Sequence, residues 1–254
     1  MEDLVSINNL NIEARTRAGT LKVVKDLSFT IKKSETLCVV GESGCGKSVT
    51  ALSLMSLLPE GILKISSGDI LFDNTNLAQL SEAELERIRG NEISMIFQEP
   101  MTSLNPLFTV GEQVSEVIRR HKNLNKAKAW VNAVELLDAV KISNPDKRAF
   151  DYPFQLSGGQ RQRVMIAIAL ACQPKILIAD EPTTALDVTI QAEILALINM
   201  LKQETGTAVM FITHDMAVGA PKAGRGVGLD PGKKNGEGGG DGSFYKPPQK
   251  YTKH

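Results

Sequence analysis

The octapeptide GESGCGKS at residues 41–48 combines glycines, a lysine and a hydroxyl residue at a spacing suited to holding phosphate groups. It matches the pattern G-x-x-x-x-G-K-[ST], in which glycines let backbone amides wrap the phosphates. Lys47 would then reach the β- and γ-phosphates, and the Ser48 hydroxyl would ligate Mg²⁺. An incidental glycine-rich turn is the alternative, but the motif lies between an apolar run and a helical pattern, which is the context it requires.

Further polar residues follow apolar runs that are typical of buried strands. Asp180 and Glu181 end the run ILIADE at residues 176–181. Beside a phosphate loop, Asp180 is suited to hold the magnesium shell, and Glu181 to polarise an attacking water. Gln98 ends another run, and His214 a third. The chemistry of Gln98 and His214 alone leaves a structural and a catalytic or metal-binding role equally open.

The stretch LSGGQ at residues 156–160 is a second candidate anion site. Ser157 and two glycines open a helical pattern, and the first turn of a helix presents backbone N–H groups that bind anions. Ser157 could equally be an ordinary N-cap, with Gly158 and Gly159 present for close packing. The residue types leave both interpretations open, and a single chain cannot easily bring both helix starts onto one γ-phosphate.

Strand-like runs and helical patterns alternate along the chain. Strands are predicted at 35–40, 68–74, 92–98, 175–182 and 208–214, and helices at 49–58, 81–89, 162–171 and 192–204. The alternation predicts a mostly parallel α/β sheet with its ligands at the carboxyl ends of the strands. The stretch from Glu99 to Leu156 is predicted to be a helical insert. Residues 219–243 contain ten glycines, and no strand is predicted there.

The composition argues against several classes of protein. Basic and acidic side chains balance at 29 each, so a strongly basic face for nucleic acid is not indicated. Cys38, Cys45 and Cys172 lack the spacing of a zinc site or a disulfide framework. The longest run without polar residues, at 164–172, is far shorter than the roughly 20 residues that span a bilayer. The thiol pKa of Cys45 is expected to lie below about 8.5, because a helix N-terminus and Lys47 favour the thiolate.

Taken in order, GESGCGKS, LSGGQ and ILIADE, with ALD at 185–187 and His214 after them, resemble the nucleotide-binding subunit of an ATP-binding cassette (ABC) transporter. The likeness covers about residues 5–218. It implies a P-loop (RecA-like) α/β ATPase core with an antiparallel β portion and an inserted helical subdomain. It also implies that ATP and Mg²⁺ bind between two such chains placed head to tail. The LSGGQ signature of one chain would then face the phosphate loop of the other.

The resemblance implies a role for each motif residue. Glu181 is implied as the catalytic base, Gln98 as the Q-loop residue, and His214 as the switch histidine that senses the γ-phosphate. Ser48, Gln98 and Asp180 are implied as the ligands of Mg²⁺. Asp187 is implied as the aspartate at the interface between the two chains. The implied nucleotide-binding residues are Gly41, Glu42, Ser43, Gly44, Cys45, Gly46, Lys47, Ser48 and Val49 in the loop, with Ser157, Gly158, Gly159 and Gln160 in the signature.

Within the family, FQEPMTSLNPLFTVGEQ at residues 97–113 is similar to the branch that imports oligopeptides, dipeptides, nickel and glutathione. This implies ATP hydrolysis that powers uptake of a di- or oligopeptide or a similar small solute. The implied partners are a second cassette subunit, transmembrane permease subunits and, indirectly, a periplasmic solute-binding protein, with no nucleic acid. The implied place is the cytoplasmic face of the inner membrane, where the segment at 99–106 receives a helix of the permease.

The predicted domains are a nucleotide-binding core at 1–98 and 161–218, a helical subdomain at 99–160, and a truncated, Gly-rich segment at 219–254.

Two features depart from the family. In the family an aromatic residue stacks on adenine, and the aligned positions here are about Arg17 and Ala18, so weaker ATP binding is predicted. Because of the Gly-rich segment, one alternative is that the chain is an inactive, truncated remnant of such an ATPase. The remaining alternative is a non-transport cassette ATPase of DNA repair or translation, which requires a coiled-coil insert or a second cassette.

Overall fold

The computed structural model describes residues 2–17, 19–98, 103–183, 186–214, 224–230 and 232–239. The chain forms two compact units, residues 1–86 with 208–254 and residues 87–207. Two strands of the predicted core, β6 and β7, lie in the same unit as the helices of the predicted insert. The boundaries predicted for the core and the helical subdomain stay a prediction. Parts of the predicted motifs, at 99–102, 184–185 and 215–223, lie outside the described residues, as does the tail from 240.

Strands and helices alternate along the chain. The strands are β1 (Asp3–Thr16), β2 (Gly19–Lys32), β3 (Thr36–Gly41), β4 (Leu63–Phe72), β5 (Thr75–Asn76), β6 (Ile93–Ile96), β7 (Ile176–Asp180), β8 (Ala208–Thr213), β9 (Arg225–Asp230) and β10 (Lys233–Gly239). The helices are α1 (Lys47–Leu54), α2 (Glu82–Ile88), α3 (Val110–Lys122), α4 (Lys126–Ala139), α5 (Pro145–Arg148), α6 (Gly158–Leu170) and α7 (Val188–Thr205). Each strand and helix predicted from periodicity overlaps an observed element of the same type, which confirms those predictions.

The first unit contains two groups of strands. One is an antiparallel sheet in the order β2-β1-β4-β5, which confirms the predicted antiparallel portion. In the other, β3 pairs in parallel with β8 and with β9, and β10 pairs antiparallel with β9. The central residues of β3, Leu37–Val40, are all buried, as expected of a parallel strand with partners on both sides. The phosphate-loop motif starts at the carboxyl end of β3 and leads into α1.

The second unit packs helices with a pair of parallel strands, β6 and β7. Every residue of both strands is buried. The helices begin at polar N-caps, since Thr109, Asn125 and Ser157 each accept a hydrogen bond from a backbone N–H in the first turn. Such caps satisfy N–H groups that have no partner within a helix. The carboxyl ends of β6 and β7 lead to Gln98 and to Glu181.

The expectation that residues 219–243 form no strand is wrong for its described part. Strands β9 (Arg225–Asp230) and β10 (Lys233–Gly239) pair antiparallel as a hairpin, although several of their residues are glycine. The hairpin forms because β9 pairs along β3 and places Val227 and Leu229 in the core, where they are 0% and 3% exposed. Strand propensity depends on the neighbours that a strand packs against, so long-range pairing overrides the poor local propensity of glycine.

A charge network anchors this hairpin to the rest of the unit. The Arg225 guanidinium bonds the Glu35 carboxylate with Nε at 2.8 Å and Nη2 at 3.2 Å, and it also donates to Glu237 and to the Thr30 carbonyl oxygen. Burial by itself raises the pKa of Glu35, but hydrogen bonds from Arg225 and the Lys32 amide outweigh it and hold that pKa below its usual value. The pKa of Glu237 is also lowered, because hydrogen bonds from Lys234 and Arg225 outweigh burial.

Replacing Arg225 by glutamine should lower the free energy of unfolding by about 1–3 kcal/mol at pH 7, because the partly buried Glu35 carboxylate loses its Arg225 partner and Glu237 loses one of two cations, keeping Lys234. Both folded-state pKa values are depressed, so the stabilisation is present above the ordinary carboxyl pKa of about 4.3 and is lost as pH falls through the folded values. Urea unfolding at pH 7 and pH 4 should therefore show the difference between wild type and Arg225→Gln shrinking at the lower pH.

The matched control for this change is Lys33→Gln. Lys33 pairs with Glu2 at 2.6 Å, but the two side chains are 50% and 66% exposed. Exposed ion pairs contribute about 0–1 kcal/mol, so this variant should unfold close to wild type at both pH values. Equal losses in the two variants, or a loss in Arg225→Gln that does not change with pH, would contradict the assignment of the network.

Candidate nucleotide-binding and catalytic residues

The phosphate-loop motif forms a glycine-lined turn between β3 and α1. Gly44 and Gly46 have φ angles of 81° and 98°, in the left-handed region that favours glycine. A Cβ on Gly46 would lie 3.2 Å from the carbonyl oxygen of Val23, so the loop also packs closely against β2. Because α1 begins at Lys47, a helix N-terminus adjoins the loop, and this arrangement suits an anionic phosphate.

Lys47 is buried beside this loop, with 5% of the residue exposed. Its ammonium Nζ donates to the carbonyl oxygens of Gly41 at 2.8 Å and Glu42 at 2.9 Å. A buried ammonium is costly unless polar groups surround it, and these carbonyls supply that stabilisation. The cation is thus held among residues of the loop that the sequence assigns to phosphate binding. Ser48, the predicted magnesium ligand, follows it and is exposed.

The expectation of a lowered thiol pKa at Cys45 is wrong. Cys45 is 2% exposed, and burial raises its pKa, although the Lys47 charge acts in the opposite direction. Burial likewise raises the pKa of Cys172, and that of Cys38 to about 12. The charges near Cys45 favour the thiolate, but removing a thiolate from water costs more, and that cost depends on residues distant along the chain.

In the second unit, Gln98 and Glu181 meet beyond the ends of β6 and β7. The Gln98 side-chain amide Nε2 donates to Glu181 Oε2 at 3.0 Å, across 83 positions of sequence. The two strands are parallel neighbours, so the residues that follow them meet at one edge of the sheet. Asp180, at the end of β7, is 4% exposed. Glu181 has a φ of 44°, a backbone conformation that is uncommon for residues other than glycine and recurs at functional sites.

The LSGGQ motif opens α6 as a capping box. The Ser157 Oγ accepts from the Gln160 amide at 3.3 Å, and the Ser157 amide donates to Gln160 Oε1 at 3.0 Å. A Cβ on Gly159 would lie 3.1 Å from Ile190 Cγ2 of α7, so this glycine does permit close packing. The N-cap interpretation is therefore confirmed. Ser157 is nevertheless exposed, so the cap leaves a second role in anion binding open.

Asp187 is the N-cap of α7, since its Oδ1 accepts from the Ile190 amide at 2.9 Å. Gln191 was not predicted from the sequence; its Nε2 donates to the carbonyl oxygens of Thr183 at 3.1 Å and Leu186 at 3.0 Å. These bonds tie Gln191 to Thr183, which follows β7, and to Leu186, which precedes Asp187. The sequence pattern that could have predicted this role is a glutamine four residues after an N-cap aspartate.

The predicted site residues fall into separate groups. The first unit holds the phosphate loop, residues 41–49, and His214, which is exposed directly after β8. The second unit brings Gln98 together with Glu181 beside Asp180, and it packs the signature glycines against α7 near Asp187. The donor types of Ser48, Gln98 and Asp180, a hydroxyl, an amide and a carboxylate, are oxygen ligands of the kind that Mg²⁺ prefers.

The sequence of the chain is similar to the sequences of known transporter ATP-binding proteins. A sequence profile described as ABC transporter matches residues 24–184. The chain is 49% identical over 253 residues to the dipeptide transport ATP-binding protein DppD of Bacillus subtilis (strain 168), covering 100% of this chain and 76% of that protein. It is 48% identical over 255 residues to the glutathione import ATP-binding protein GsiA of Salmonella paratyphi A, covering 98% of this chain and 41% of that protein.

A solved structure shows the same fold. It is the dimeric post-hydrolysis state of an ATP-binding cassette bound to ADP and Pi, with a TM-score of 0.82 and 31% sequence identity over 92% of this chain and 98% of that chain. In the part of our chain that the structure describes, we find no helix long and apolar enough to cross a membrane.

Proposed function

The chain belongs to the ABC transporter family as an ATP-binding subunit, and from this membership we propose that it hydrolyses ATP to power uptake of di- or oligopeptides or a similar small solute. The observation that carries the proposal is the identity of 49% to a dipeptide transport ATP-binding protein along 100% of this chain. The glutathione import relative supports a substrate class of short peptides and peptide-like solutes.

The phosphate loop is the proposed site for the phosphates of ATP. Its glycines let the backbone approach the phosphates, and the N-terminus of α1 provides amides for them. Lys47, now bonded to the carbonyls of Gly41 and Glu42, would exchange these partners for the β- and γ-phosphate oxygens. Such an exchange replaces hydrogen bonds to neutral carbonyl oxygens by hydrogen bonds to negatively charged phosphate oxygens, which strengthens the binding of ATP by this cation.

Glu181 is the proposed general base for the attacking water. Its carboxylate accepts a hydrogen bond from Gln98, which orients one oxygen. A carboxylate held in this way can take the proton as water attacks the γ-phosphorus. Ser48, Gln98 and Asp180 are the proposed ligands of Mg²⁺, which would neutralise developing charge on the phosphate oxygens. His214 is the proposed sensor of the γ-phosphate.

The signature motif is proposed to act on ATP held by a partner chain. Ser157, Gly158, Gly159 and Gln160 open a helix whose first amides suit a γ-phosphate, and Asp187 begins the helix packed beside them. The dimeric cassette with ADP and Pi supports a two-chain arrangement. ATP would then join two cassettes, and its hydrolysis would release them.

The proposed partners beyond the second cassette are membrane-embedded permease subunits and, through them, a periplasmic solute-binding protein. Exposed apolar side chains next to the proposed permease-binding segment support this assignment, because Leu107 and Phe108 are 79% and 50% exposed. Contact with the permease would place the chain peripherally on the cytoplasmic face of the inner membrane.

Reconstitution tests the proposal. The purified chain should be combined in proteoliposomes with candidate permease and solute-binding proteins from the same organism, and uptake of a labelled dipeptide should be measured. Uptake should require ATP and Mg²⁺, and Lys47→Ala should reduce it by about 100-fold or more, since a charge that stabilises the transition state is lost. ATP hydrolysis by the wild-type chain that responds neither to the permease nor to any short peptide or glutathione would contradict the importer assignment.

A further inference from the structure

The turn between β9 and β10 contacts the phosphate loop and β2 through Gly232. The Gly232 amide donates to the carbonyl oxygen of Cys45 at 3.3 Å, and the Gly232 carbonyl oxygen accepts from the Lys25 amide at 2.5 Å. Gly232 is buried and has a φ of 74°. A single residue of the hairpin therefore bridges the backbone of β2 and the backbone of the loop.

This position admits only glycine. A Cβ built on Gly232 would lie 2.7 Å from the carbonyl oxygen of Val23, closer than real Cβ contacts allow. The same Val23 oxygen lies 3.2 Å from the Cβ position of Gly46 in the phosphate loop. Gly232 and the phosphate loop thus pack against the same stretch of β2, at Val23. A shift of Gly232 would therefore move the part of β2 against which the loop packs.

The preceding strand makes a second contact with the loop. Gly41 is the register partner of Leu229, and a Cβ on Gly41 would lie 2.4 Å from the Leu229 carbonyl oxygen. The hairpin therefore touches the loop near its start, at Gly41, and near its middle, at Cys45. Backbone groups make both contacts, so they depend on the position of the hairpin and not on the identity of its side chains.

We propose that Gly232 is a positioning residue for ATP binding: it holds the backbone of Cys45 so that the flanking amides of the phosphate loop are aligned on the phosphates. This inference rests on the proposed function. Cys45 lies between Gly44 and Gly46, the two residues with left-handed backbone, and glycine-rich backbone has little stiffness of its own. The loop therefore requires an external support, and the Gly-rich hairpin supplies it.

Gly232→Ala should raise the KM for ATP by about tenfold, since a displaced loop forfeits one or two hydrogen bonds to phosphate. The kcat at saturating ATP should change little, because bound ATP selects the aligned loop. Gly61→Ala is the matched control. Gly61 has a φ of 73° in the same unit, and a Cβ there would meet nothing within 4 Å. It carries the same left-handed strain without touching the loop, so its KM should equal that of wild type.

Hydrogen exchange in the wild-type chain provides a measurement that does not depend on a variant folding. Saturating ATP should slow exchange in a peptide covering 229–236, which contains the Gly232 amide, and leave a peptide covering 63–72 unchanged. Equal KM values for the two alanine variants, or no slowing at 229–236 in ATP-bound wild type, would overturn the inference alone. A wild-type chain that binds no ATP would overturn the proposed function as well.

Discussion

Replacing Glu181 by glutamine should abolish ATP turnover while ATP binding is preserved. Glutamine cannot take a proton from water at neutral pH, and loss of a general base slows a reaction by roughly 10²–10⁴-fold. Its amide oxygen can still accept the hydrogen bond that Gln98 now donates to Glu181 Oε2, so the local geometry is retained. The rate of phosphate release should therefore fall to background, while the measured affinity for ATP should equal that of wild type.

The same variant should accumulate as an ATP-loaded dimer, because hydrolysis is the step proposed to separate the two chains. Size-exclusion chromatography with ATP and Mg²⁺ should show a dimer for Glu181→Gln and mostly monomer for wild type. Glu204→Gln is the matched control, since Glu204 is an exposed carboxylate on α7, and its turnover should be unchanged. Turnover of Glu181→Gln close to that of wild type would remove Glu181 from the role of base.

Ser157 should act on the nucleotide of the partner chain, and mixing two inactive variants should reveal this. Lys47→Ala removes the cation of the phosphate loop, and Ser157→Arg blocks the signature motif, so each variant alone should be inactive. In a mixed dimer both lesions fall in one composite site and the other site is intact. If the two variants associate at random, about one quarter of wild-type turnover should return, since half of the dimers carry one intact site.

The control mixture joins wild type with a chain that carries both substitutions. Each mixed dimer then has one lesion in each composite site, so only wild-type dimers should contribute activity. Ser157 is also the N-cap of α6, so thermal unfolding should accompany the assay; loss of an N-cap costs about 1 kcal/mol. No recovery in the first mixture, with mixed dimers demonstrated by differential tags, would argue against a site shared between chains.

Local patterns in the sequence determined several features correctly. The apolar run before Asp180 predicted a strand, because a buried parallel strand requires apolar side chains on both faces. Glycines at 44 and 46 predicted backbone that wraps a ligand, and both adopt the left-handed conformation. Ser157 predicted a helix start, since a serine N-cap is recognised from a few adjacent residues. In each case the physical cause lies within a few residues of the feature.

Other features required the tertiary structure because their causes are distant in sequence. Gln98 and Glu181 meet only because β6 and β7 pair, and the β9–β10 hairpin forms only because β9 pairs with β3. Burial raises the pKa of Cys45 by removing the thiol from water, an effect that no neighbouring charge reveals. The contact of Gly232 with Cys45 likewise joins segments that are far apart along the chain. Strand pairing and the removal of groups from water both depend on distant segments packing together, so local sequence patterns do not determine them.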